Sequence, residues 1–437
     1  MSEWIDTLTQ WLSTHPEWLG LAIFLVACIE CLAIAGVIVP GTVLLFAIGV
    51  MAGASFGLME TLLLAYAGAL LGDVISYGVG RFFHQNIRRL PVLRHHPEWI
   101  NHAEVYFLRY GAVSLLVGRF IGPLRPMLPM VAGMLDMPFI RFFLISLVSG
   151  AGWAVAYLLP GWVAGAAIRL PLPEGFWLEA AMVAGALVLL VALSAHASLT
   201  SRRHATGLTA LLSTLLLALL LVSWPYLDSL DAGLMTLAQS SRDAAFEGLM
   251  VFVTLMGDLK IQLTVAIVLI ALLALLRQWR AMFFALAALL STALGNMALK
   301  AFFGRTRPEI LVEPLSTFSF PSGHSSASFA FFLVLALLAG RGQPPRWRLT
   351  WLLLASLPAG LIALTRLYLG VHWATDLAGG ALLAACACAI SLWVTQRKTP
   401  LEPMPAKLWW LLLPICTAIL VTYASLGLSD ALALYRF

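Results

Sequence analysis

Apolar segments of about 20 residues, the length of a helix that crosses a bilayer, recur along almost the whole chain. Hydrophobic residues make up 61% and charged residues 11% of the 437 residues, whereas roughly a quarter of the residues of a soluble domain are charged. A chain of this kind has to satisfy its backbone hydrogen bonds within helices, because the bilayer core offers no water. The sequence therefore predicts an all-α polytopic membrane protein.

The net charge of +5 comes from lysines and arginines that cluster between the apolar segments. The positive-inside rule explains such clusters as cytoplasmic loops. We therefore expect membrane lipids around the protein and no nucleic acid as a partner.

A polar connector in the middle of the chain divides it into two membrane domains. Residues 196–207 include Arg202 and Arg203, which favour a cytoplasmic linker. The predicted organisation is a first membrane domain at 1–198, a linker at 199–207, a second membrane domain at 208–398 and an additional transmembrane helix at 399–437.

Two apolar elements of the first half are interrupted and carry charges. Glu30 lies in a segment that ends at Val-Pro-Gly (39–41), and Arg119 and Arg125 lie in a segment that glycines and prolines break. Asp73, in the span between them, is a further candidate. Irregular backbone at membrane depth has to be shielded by protein or line a cavity, and some transporters build their sites from such half-helices. The charges indicate either a transport site or a structural Glu–Arg pair, and the cost of burying them favours the site.

These residues resemble the DedA family, also known as SNARE-associated Golgi or VTT-domain proteins. The resemblance covers about residues 15–165. It rests on the Glu30 segment with Val-Pro-Gly, Gly-Asp-x-x-x-Tyr at 72–77, Gly-Arg-Phe-x-x-x-x-Arg at 118–125, Ala-Gly-Met at 132–134 and Trp153. It implies re-entrant helices and lipid translocation, with undecaprenyl phosphate as the substrate proposed for bacterial members.

The chain departs from the DedA pattern in two places. Thr42 follows Pro-Gly where the family often has an acid, and Ile-Gly-Pro (121–123) reverses the usual Pro-Gly order. The missing acid weakens any proton coupling that needs two carboxylates.

The second half places three polar clusters at the ends of apolar segments. They are Lys-Ala-Phe-Phe-Gly-Arg-Thr-Arg-Pro at 300–308, Pro-Ser-Gly-His at 321–324 and Thr-Arg-Leu-Tyr-Leu-Gly-Val-His-Trp-Ala-Thr-Asp at 365–376. The predicted spans lie at about 261–276, 281–299, 324–340, 349–365, 375–394 and 408–426. Their basic loops all fall on one side, which should be cytoplasmic. We therefore expect the three clusters to converge on the extracytoplasmic face.

The residue types of these clusters suit phosphate binding. Lys300 and Arg307 are seven residues apart, so we expect them on one face of a helix end that the following proline terminates. Arg307 and Arg366 offer planar forks for phosphate oxygens, and Lys300 adds a point charge. Ser322 and Gly323 begin a helix whose free N–H groups favour an anion.

Two histidines supply the reactive groups. His372 and Asp376 are four residues apart, so the carboxylate can orient the imidazole as a nucleophile. His324 comes from another segment and remains as the general acid for the leaving group. Because no carboxylate cluster suits a catalytic Mg²⁺, we expect no metal and no other cofactor.

The three patterns Lys-x6-Arg-Pro, Pro-Ser-Gly-His and Arg-x5-His-x3-Asp resemble the type 2 phosphatidic-acid phosphatase family, which is related to the vanadium haloperoxidases. The resemblance covers about residues 205–395, and Thr365 stands where serine usually precedes the arginine. It implies a six-helix bundle and metal-independent hydrolysis through a phosphohistidine on His372. The implied phosphate-binding residues are Lys300, Arg307, Ser322, Gly323 and Arg366, and His324 is the implied proton donor.

Together the two resemblances imply a DedA-like transporter fused to a lipid phosphatase in a bacterial inner membrane, with the phosphatase site facing the periplasm. The favoured substrate is undecaprenyl diphosphate, whose product the first domain would return inward. The alternatives are a phosphatidate or phosphatidylglycerophosphate phosphatase with a scaffold domain, and a lipid transporter whose second domain only binds lipid phosphate. Oligomerisation is left open.

Overall fold

The computed structural model describes residues 14–38, 41–89, 97–120, 124–199, 205–310 and 317–435, together with Trp11 and Arg94. These residues form helices joined by short connections, without a strand among them. Eight of the described helices are long and apolar enough to cross a membrane. The predicted all-α polytopic membrane fold is therefore confirmed. Val39 and Pro40, residues 121–123 and residues 200–204 of the predicted linker lie outside the described ranges.

The chain divides into two compact units, Met1–Pro171 and Leu172–Phe437. The first contains eight α-helices in its described part: α1 (Leu19–Cys31), α2 (Ala35–Ile38), α3 (Gly41–Ser55), α4 (Leu58–Phe83), α5 (Pro97–Tyr110), α6 (Ala112–Gly118), α7 (Leu124–Met134) and α8 (Phe139–Arg169). Helices α1 and α3 are shorter than a crossing helix, and the chain bends between α1 and α2. The chain is thus interrupted after Cys31, upstream of the predicted break at Val-Pro-Gly (39–41), of which Val39 and Pro40 lie outside the described residues. The other predicted interruption, in the segment with Arg119 and Arg125, is present between α6 and α7.

Close helix contacts hold the first unit together. Helix α8 packs along α3, and α1 and α7 pack along α4. A side chain at Gly53 would overlap the carbonyl oxygen of Trp162, and one at Gly165 would overlap that of Val50. Glycine therefore allows the α3 and α8 backbones to touch, as small residues do between membrane helices.

The described part of the second unit contains eleven α-helices. They are α9 (Phe176–Leu199), α10 (Ala205–Ser223), α11 (Asp228–Ser240), α12 (Ala244–Leu255), α13 (Leu259–Leu275), α14 (Trp279–Phe303), α15 (Gly323–Ala339), α16 (Pro345–Tyr368), α17 (Ala374–Thr395), α18 (Ala406–Leu426) and α19 (Leu428–Leu434). Helices α10 and α13–α17 form a six-helix bundle in which α17 packs against α10, α14 and α15. The six spans predicted for this half correspond to α13–α18.

Helix α9 packs within the second unit, whereas the predicted boundary at 198 placed it with the first. It lies against α10, α11 and α16. The Glu179 carboxylate accepts the backbone N–H of Leu230, at the start of α11, at 2.7 Å. The compact units therefore divide at Pro171.

Candidate functional site

One end of the six-helix bundle collects the three predicted polar clusters. The carboxyl ends of α14 and α16 meet the amino ends of α15 and α17 there. The Ser322 N–H donates to the Asp376 carbonyl oxygen at 3.0 Å, which joins the second cluster to the third. Arg307 Nη1 lies 3.1 Å from His372 Nε2 and 2.8 Å from the Val371 carbonyl oxygen, which joins the first cluster to the third. The structure thus brings the clusters together as predicted.

His372 and Asp376 form a buried pair. The imidazole Nδ1 lies 3.2 Å from Asp376 Oδ2, and their side chains are 1% and 0% exposed. Asp376 Oδ2 also accepts the Trp373 N–H at 2.9 Å and the Ser319 hydroxyl. The carboxylate is therefore fixed on the Nδ1 side of the ring, and Nε2 is turned toward Arg307. This is the arrangement that a nucleophilic histidine with an orienting acid requires.

Arg307 reaches the site by a different route from the one predicted. Helix α14 ends at Phe303, and Gly304 caps it in the left-handed conformation, with φ of 59°. Arg307 therefore does not share a helix face with Lys300, and Pro308 does not end the helix. The arginine instead lies on the following segment, where Thr317 accepts from Nε through its carbonyl oxygen at 2.7 Å and from Nη2 through its hydroxyl at 2.8 Å.

Lys300 points toward the segment that precedes α15. Its ammonium group donates to the carbonyl oxygens of Phe318 and Ser319. It contributes to the positive field on His372 together with Arg307 and Arg366. The three predicted phosphate-binding cations are thus grouped around the imidazole.

The amino end of α15 forms a small open cradle. Ser322 is the N-cap residue, and its hydroxyl accepts the Ser325 N–H at 3.4 Å. Among the described residues, a Cβ built on Gly323 would find only Asn296 Oδ1 within 4 Å, at 3.7 Å. Free N–H groups and unfilled space at a helix amino end suit an anion.

His324 is the second residue of α15 and faces the same charges. Arg366, His372 and Arg307 all act on it electrostatically. A Cβ at Gly257, between α12 and α13, would come within 3.0 Å of its Cδ2 atom. The ring is therefore held between the α12–α13 connection and the cluster of cations.

Burial and the nearby cations control the charge of His372, which lies outside the membrane-spanning helices. Burial, followed by the charges of Arg307, Arg366 and Lys300, lowers the His372 pKa well below 6.5. The imidazole is therefore neutral at pH 7 and keeps a free lone pair. Burial and the charge of Arg366 lower the pKa of Arg307 to about 10, so this guanidinium remains positive at neutral pH.

Arg305 and Asp231 belong to the site but were not predicted. Arg305 Nη1 donates to Asp376 Oδ1 at 2.9 Å, and its Nη2 donates to Asp231 Oδ2 at 2.7 Å. Its guanidinium lies 4.4 Å from the ring centroid of Trp224 and 5.6 Å from that of Trp373. Arg305 could have been predicted as a site residue from its position in the Arg-Thr-Arg-Pro cluster. Asp231 on α11 could not, because the sequence shows it only as one acid in an amphipathic segment.

Arg366 is buried, and two side chains outside the three clusters hold it. Its Nη1 donates to the hydroxyl of Tyr435 at 2.7 Å and to that of Thr254 at 3.1 Å. No sequence pattern connected these residues to Arg366.

The charged residues predicted in the first unit form two buried ion pairs. Arg119 pairs with Asp73, and Arg125 pairs with Glu30. All four side chains are at most 7% exposed. Both guanidiniums lie near the ring of Trp153, at 5.4 and 5.8 Å from its centroid. The structure therefore brings together all four predicted candidates of this unit.

Glycine at position 41 brings the α3 backbone onto the Glu30 carboxylate. A Cβ at Gly41 would overlap this carboxylate. The Gly of the Val-Pro-Gly motif thus leaves room for the acid at the start of α3, beside Arg125.

The protein is a membrane protein of two helical units, each with its own cluster of buried charged residues, and the two units match two different family models. Residues 39–163 match the family model of the VTT domain, and residues 280–400 match that of the PAP2 superfamily. YqjA, an inner membrane protein of Escherichia coli K12, is 30% identical over 156 residues, which are 35% of this chain and 71% of YqjA. The chain therefore belongs to the VTT-domain (DedA) family, and its second half carries a PAP2 superfamily domain.

Two other relatives match a stretch of similar length. The inner membrane protein YabI of E. coli K12 is 38% identical over 152 residues, 35% of this chain and 60% of YabI. An uncharacterized membrane protein of Buchnera aphidicola subsp. Schizaphis graminum is 33% identical over 173 residues, 39% of this chain and 67% of that protein. The chain thus spans less than two thirds of the length of YabI.

Two solved structures align with part of this chain. A PAP2-type phosphatidylglycerolphosphate phosphatase from Bacillus subtilis is 23% identical and covers 44% of this chain and 97% of its own, with a TM-score of 0.40. LpxE of Aquifex aeolicus is 26% identical and covers 37% and 94%, with a TM-score of 0.31. The assignment of the second half rests on the family match and on the site residues, since both TM-scores are below 0.5.

Proposed function

We propose that the second unit is a metal-independent lipid phosphate phosphatase that works through a phosphohistidine on His372. The observation that carries the proposal is the placement of His372: its Nδ1 faces Asp376 at 3.2 Å, and its Nε2 lies 3.1 Å from Arg307. A phosphate held by Arg307 would therefore lie against the nucleophilic nitrogen.

In the first step, the Nε2 lone pair attacks phosphorus, and the bond from phosphorus to the leaving oxygen breaks. Arg307, Arg366, Lys300 and the amino end of α15 hold the phosphoryl oxygens, whose charge they offset. The bound phosphate offsets the charges of Arg366 and Arg307 that act on His324, so the ring is protonated in the substrate complex. His324 then gives its proton to the leaving oxygen, and the lipid product departs neutral or with one charge fewer. Asp376 stabilises the positive charge that develops on the His372 ring.

In the second step, water attacks the phosphohistidine. His324, now without its proton, takes one from the water as general base. The P–N bond breaks, His372 becomes neutral again and inorganic phosphate is released. Each residue ends the cycle in its starting protonation state.

The substrate that we propose is a prenyl or glycerolipid phosphate, with undecaprenyl diphosphate favoured, in a bacterial inner membrane. The preference rests on the combination of a PAP2 domain with a DedA-family domain in one chain. The opposite end of α14–α17 carries Arg280, Arg341 and Arg397, which supports a cytoplasmic location for that end and a periplasmic one for the site.

A phosphate-release panel tests the phosphatase. The purified protein would be supplied with undecaprenyl diphosphate, phosphatidate and phosphatidylglycerophosphate, with His372→Ala as the inactive control. We expect release from undecaprenyl diphosphate to be fastest and to be lost in the variant. Release that survives in His372→Ala contradicts the mechanism, and faster release from a glycerolipid contradicts the substrate preference.

We further propose that the first unit translocates the lipid phosphate that the second unit produces. Two buried ion pairs near Trp153, Arg119–Asp73 and Arg125–Glu30, support this proposal. Buried arginines in a membrane protein are costly and usually mark a functional site, and arginine is well suited to a phosphate group. A structural role of the pairs is the alternative.

Lipid movement in proteoliposomes separates these two roles. Arg119→Gln and Arg125→Gln should slow the movement of a fluorescent prenyl phosphate, whereas phosphate release by the second unit continues. Arg141→Gln, an exposed arginine of the same unit, is the control and should transport normally. Unchanged movement in folded Arg119→Gln and Arg125→Gln proteins contradicts the transport role.

A further inference from the structure

Tyr435 reaches the candidate active site from outside the PAP2 match at 280–400. It follows the short helix α19, and its side chain is 7% exposed. It shares a hydrophobic cluster with Val251, Leu369 and Val371, the last of which precedes His372. A segment beyond the family match therefore forms part of the wall of the site.

The hydrogen bonds of Arg366 all come from one terminal nitrogen of its guanidinium, Nη1. Nη1 donates to the Tyr435 hydroxyl at 2.7 Å and to the Thr254 hydroxyl at 3.1 Å. Nε is buried without a hydrogen-bond partner among the described residues, and no residue of the described ranges accepts from Nη2. The Nε and Nη2 groups form one edge of the planar fork, which suits two oxygens of a phosphate.

We propose that Tyr435 is a positioning residue of the phosphatase site, because its hydroxyl, with that of Thr254, holds Nη1 so that the Nε/Nη2 edge faces the phosphate. The inference rests on the proposed phosphatase function. It assigns a role to the α18–α19 segment, which lies outside the three clusters.

The test compares Tyr435→Phe with Tyr423→Phe, a half-exposed tyrosine of α18. Phenylalanine keeps the ring contacts of Tyr435 and removes only the hydroxyl. We expect the inhibition constant for inorganic phosphate to rise about threefold to tenfold in Tyr435→Phe, which is the size of effect of one typical intramolecular hydrogen bond. The melting temperature should stay close to that of the wild type, and Tyr423→Phe should behave like the wild type in both measurements.

A double-mutant cycle identifies the residue through which Tyr435 acts. In an Arg366→Lys background, Tyr435→Phe should cause no further change in the inhibition constant, since the guanidinium that it positions is gone. Thr254→Val should weaken phosphate binding in the wild-type background, in the same direction as Tyr435→Phe.

The outcomes distinguish this inference from the proposed function. A wild-type protein that releases no phosphate from any lipid contradicts the phosphatase itself. An active wild type with an unchanged inhibition constant in Tyr435→Phe overturns the positioning role. A lowered melting temperature with unchanged phosphate inhibition also overturns it, because Tyr435 would then have only a structural role.

The opposite end of the same bundle contains a basic cavity. A cavity of about 590 Å³ lies between the amino ends of α14 and α16 and the carboxyl ends of α15 and α17. Its lining includes Arg280, Arg341, Arg348 and Glu402. The catalytic clusters occupy the other ends of these four helices, so the cavity is distinct from the candidate active site.

The arginines that line the cavity differ in the number of hydrogen bonds that they donate. Arg280 donates through both terminal nitrogens, to the carbonyl oxygens of Thr395, Thr399 and Pro400. Arg341 and Arg348 each donate only through Nε, to the carbonyl oxygens of Leu337 and Gln343, both at 2.8 Å. Their terminal amino groups have no partner within the described ranges.

Two further features support an anion in the cavity. Glu402 forms no ion pair with Arg341 or Arg348 in the part of the chain that the structure describes. Burial and the charge of Arg348 lower the pKa of Arg341 to about 10, so the two cations stay positive and repel each other. A bound anion would offset that repulsion.

We infer that this cavity binds a phosphate group, as basic pockets between membrane helices bind lipid headgroups. The phosphate has two possible sources, an anionic lipid such as phosphatidylglycerol or free inorganic phosphate. Its recognition would use the terminal amino groups of Arg341 and Arg348.

Binding measurements in an Arg307→Gln background, where the candidate active site is weakened, test the cavity. We expect phosphatidylglycerol in nanodiscs or inorganic phosphate to bind, and Arg341→Gln/Arg348→Gln to raise the dissociation constant about tenfold or more, since charge-assisted hydrogen bonds are lost. The exposed pair Arg141→Gln/Arg169→Gln is the matched control.

Binding of the lipid alone assigns the source to the membrane, and binding of inorganic phosphate assigns it to the free ion. Equal binding by the double variant and the control, or no binding of either probe, overturns the inference.

Discussion

Replacing Arg305 with glutamine should destabilise the second unit and slow phosphate release together. Arg305 bridges Asp231 and Asp376, at 2.7 and 2.9 Å, and is 8% exposed. The two carboxylates are 2% and 0% exposed. Without the guanidinium, both would remain buried with no other cation paired to them among the described residues, and Asp376 would lose a fixed partner while it orients His372.

The magnitude follows from the burial of the pair. Removing one partner of a buried ion pair costs about 3–5 kcal/mol, because it leaves an uncompensated charge. A typical domain has a stability of about 5–15 kcal/mol, so the variant would retain only part of it. Asp231→Asn added to Arg305→Gln should recover some stability, since it removes one of the two unpaired charges.

Equilibrium unfolding in detergent micelles, followed by tryptophan fluorescence, measures this change. The control is Arg81→Gln, which breaks an ion pair with Asp136 whose members are 49% and 61% exposed. Exposed pairs contribute about 0–1 kcal/mol, so the control should unfold nearly like the wild type. If Arg305→Gln loses no more stability than Arg81→Gln, or if Asp231→Asn makes it less stable still, the reasoning is wrong.

Three further predictions concern leaving groups, pH and helix packing. His324→Ala should slow hydrolysis of a lipid phosphate far more than that of p-nitrophenyl phosphate, whose leaving group needs no proton; equal losses would exclude His324 as the acid. Burial and the charge of Arg307 lower the pKa of His372 below 6.5, so the acid-side decrease of kcat/KM should have its midpoint below pH 6.5. A midpoint at or above pH 6.5 contradicts this. Gly53→Ala should destabilise the first unit by about 1–3 kcal/mol through overlap with a backbone carbonyl, whereas Gly78→Ala, which meets nothing within 4 Å among the described residues, should not lower its unfolding temperature, because alanine favours a helix more than glycine does.

The sequence predicted most of the membrane helices and the meeting of the three clusters. Apolar length identifies spans, and alternating basic loops place successive helix ends on opposite sides. Lys300, His324 and His372 therefore had to fall at one end of the bundle. The error over Arg307 was local, because Gly304 ends α14 in the left-handed conformation, as glycine commonly does after a helix.

Contacts between distant segments could not be predicted from the sequence. Asp231 reaches Arg305 across 74 positions, and Tyr435 reaches Arg366 across 69. Neither pair has a periodic or motif signal, since only the packing of α11 and α19 on the bundle brings the side chains together. The placement of α9 was missed for a related reason: its sequence is apolar on all faces, so no stripe marks the unit against which it packs.

The most direct test of the central claim is a search for the phosphoenzyme. The purified protein would be mixed with a ³²P-labelled lipid phosphate, quenched in alkali within milliseconds and mapped by peptide analysis, with His372→Asn in parallel. The account predicts an alkali-stable, acid-labile label on the peptide that contains His372 and no label in the variant. Rapid turnover with label on another residue, or the same label in His372→Asn, would contradict it.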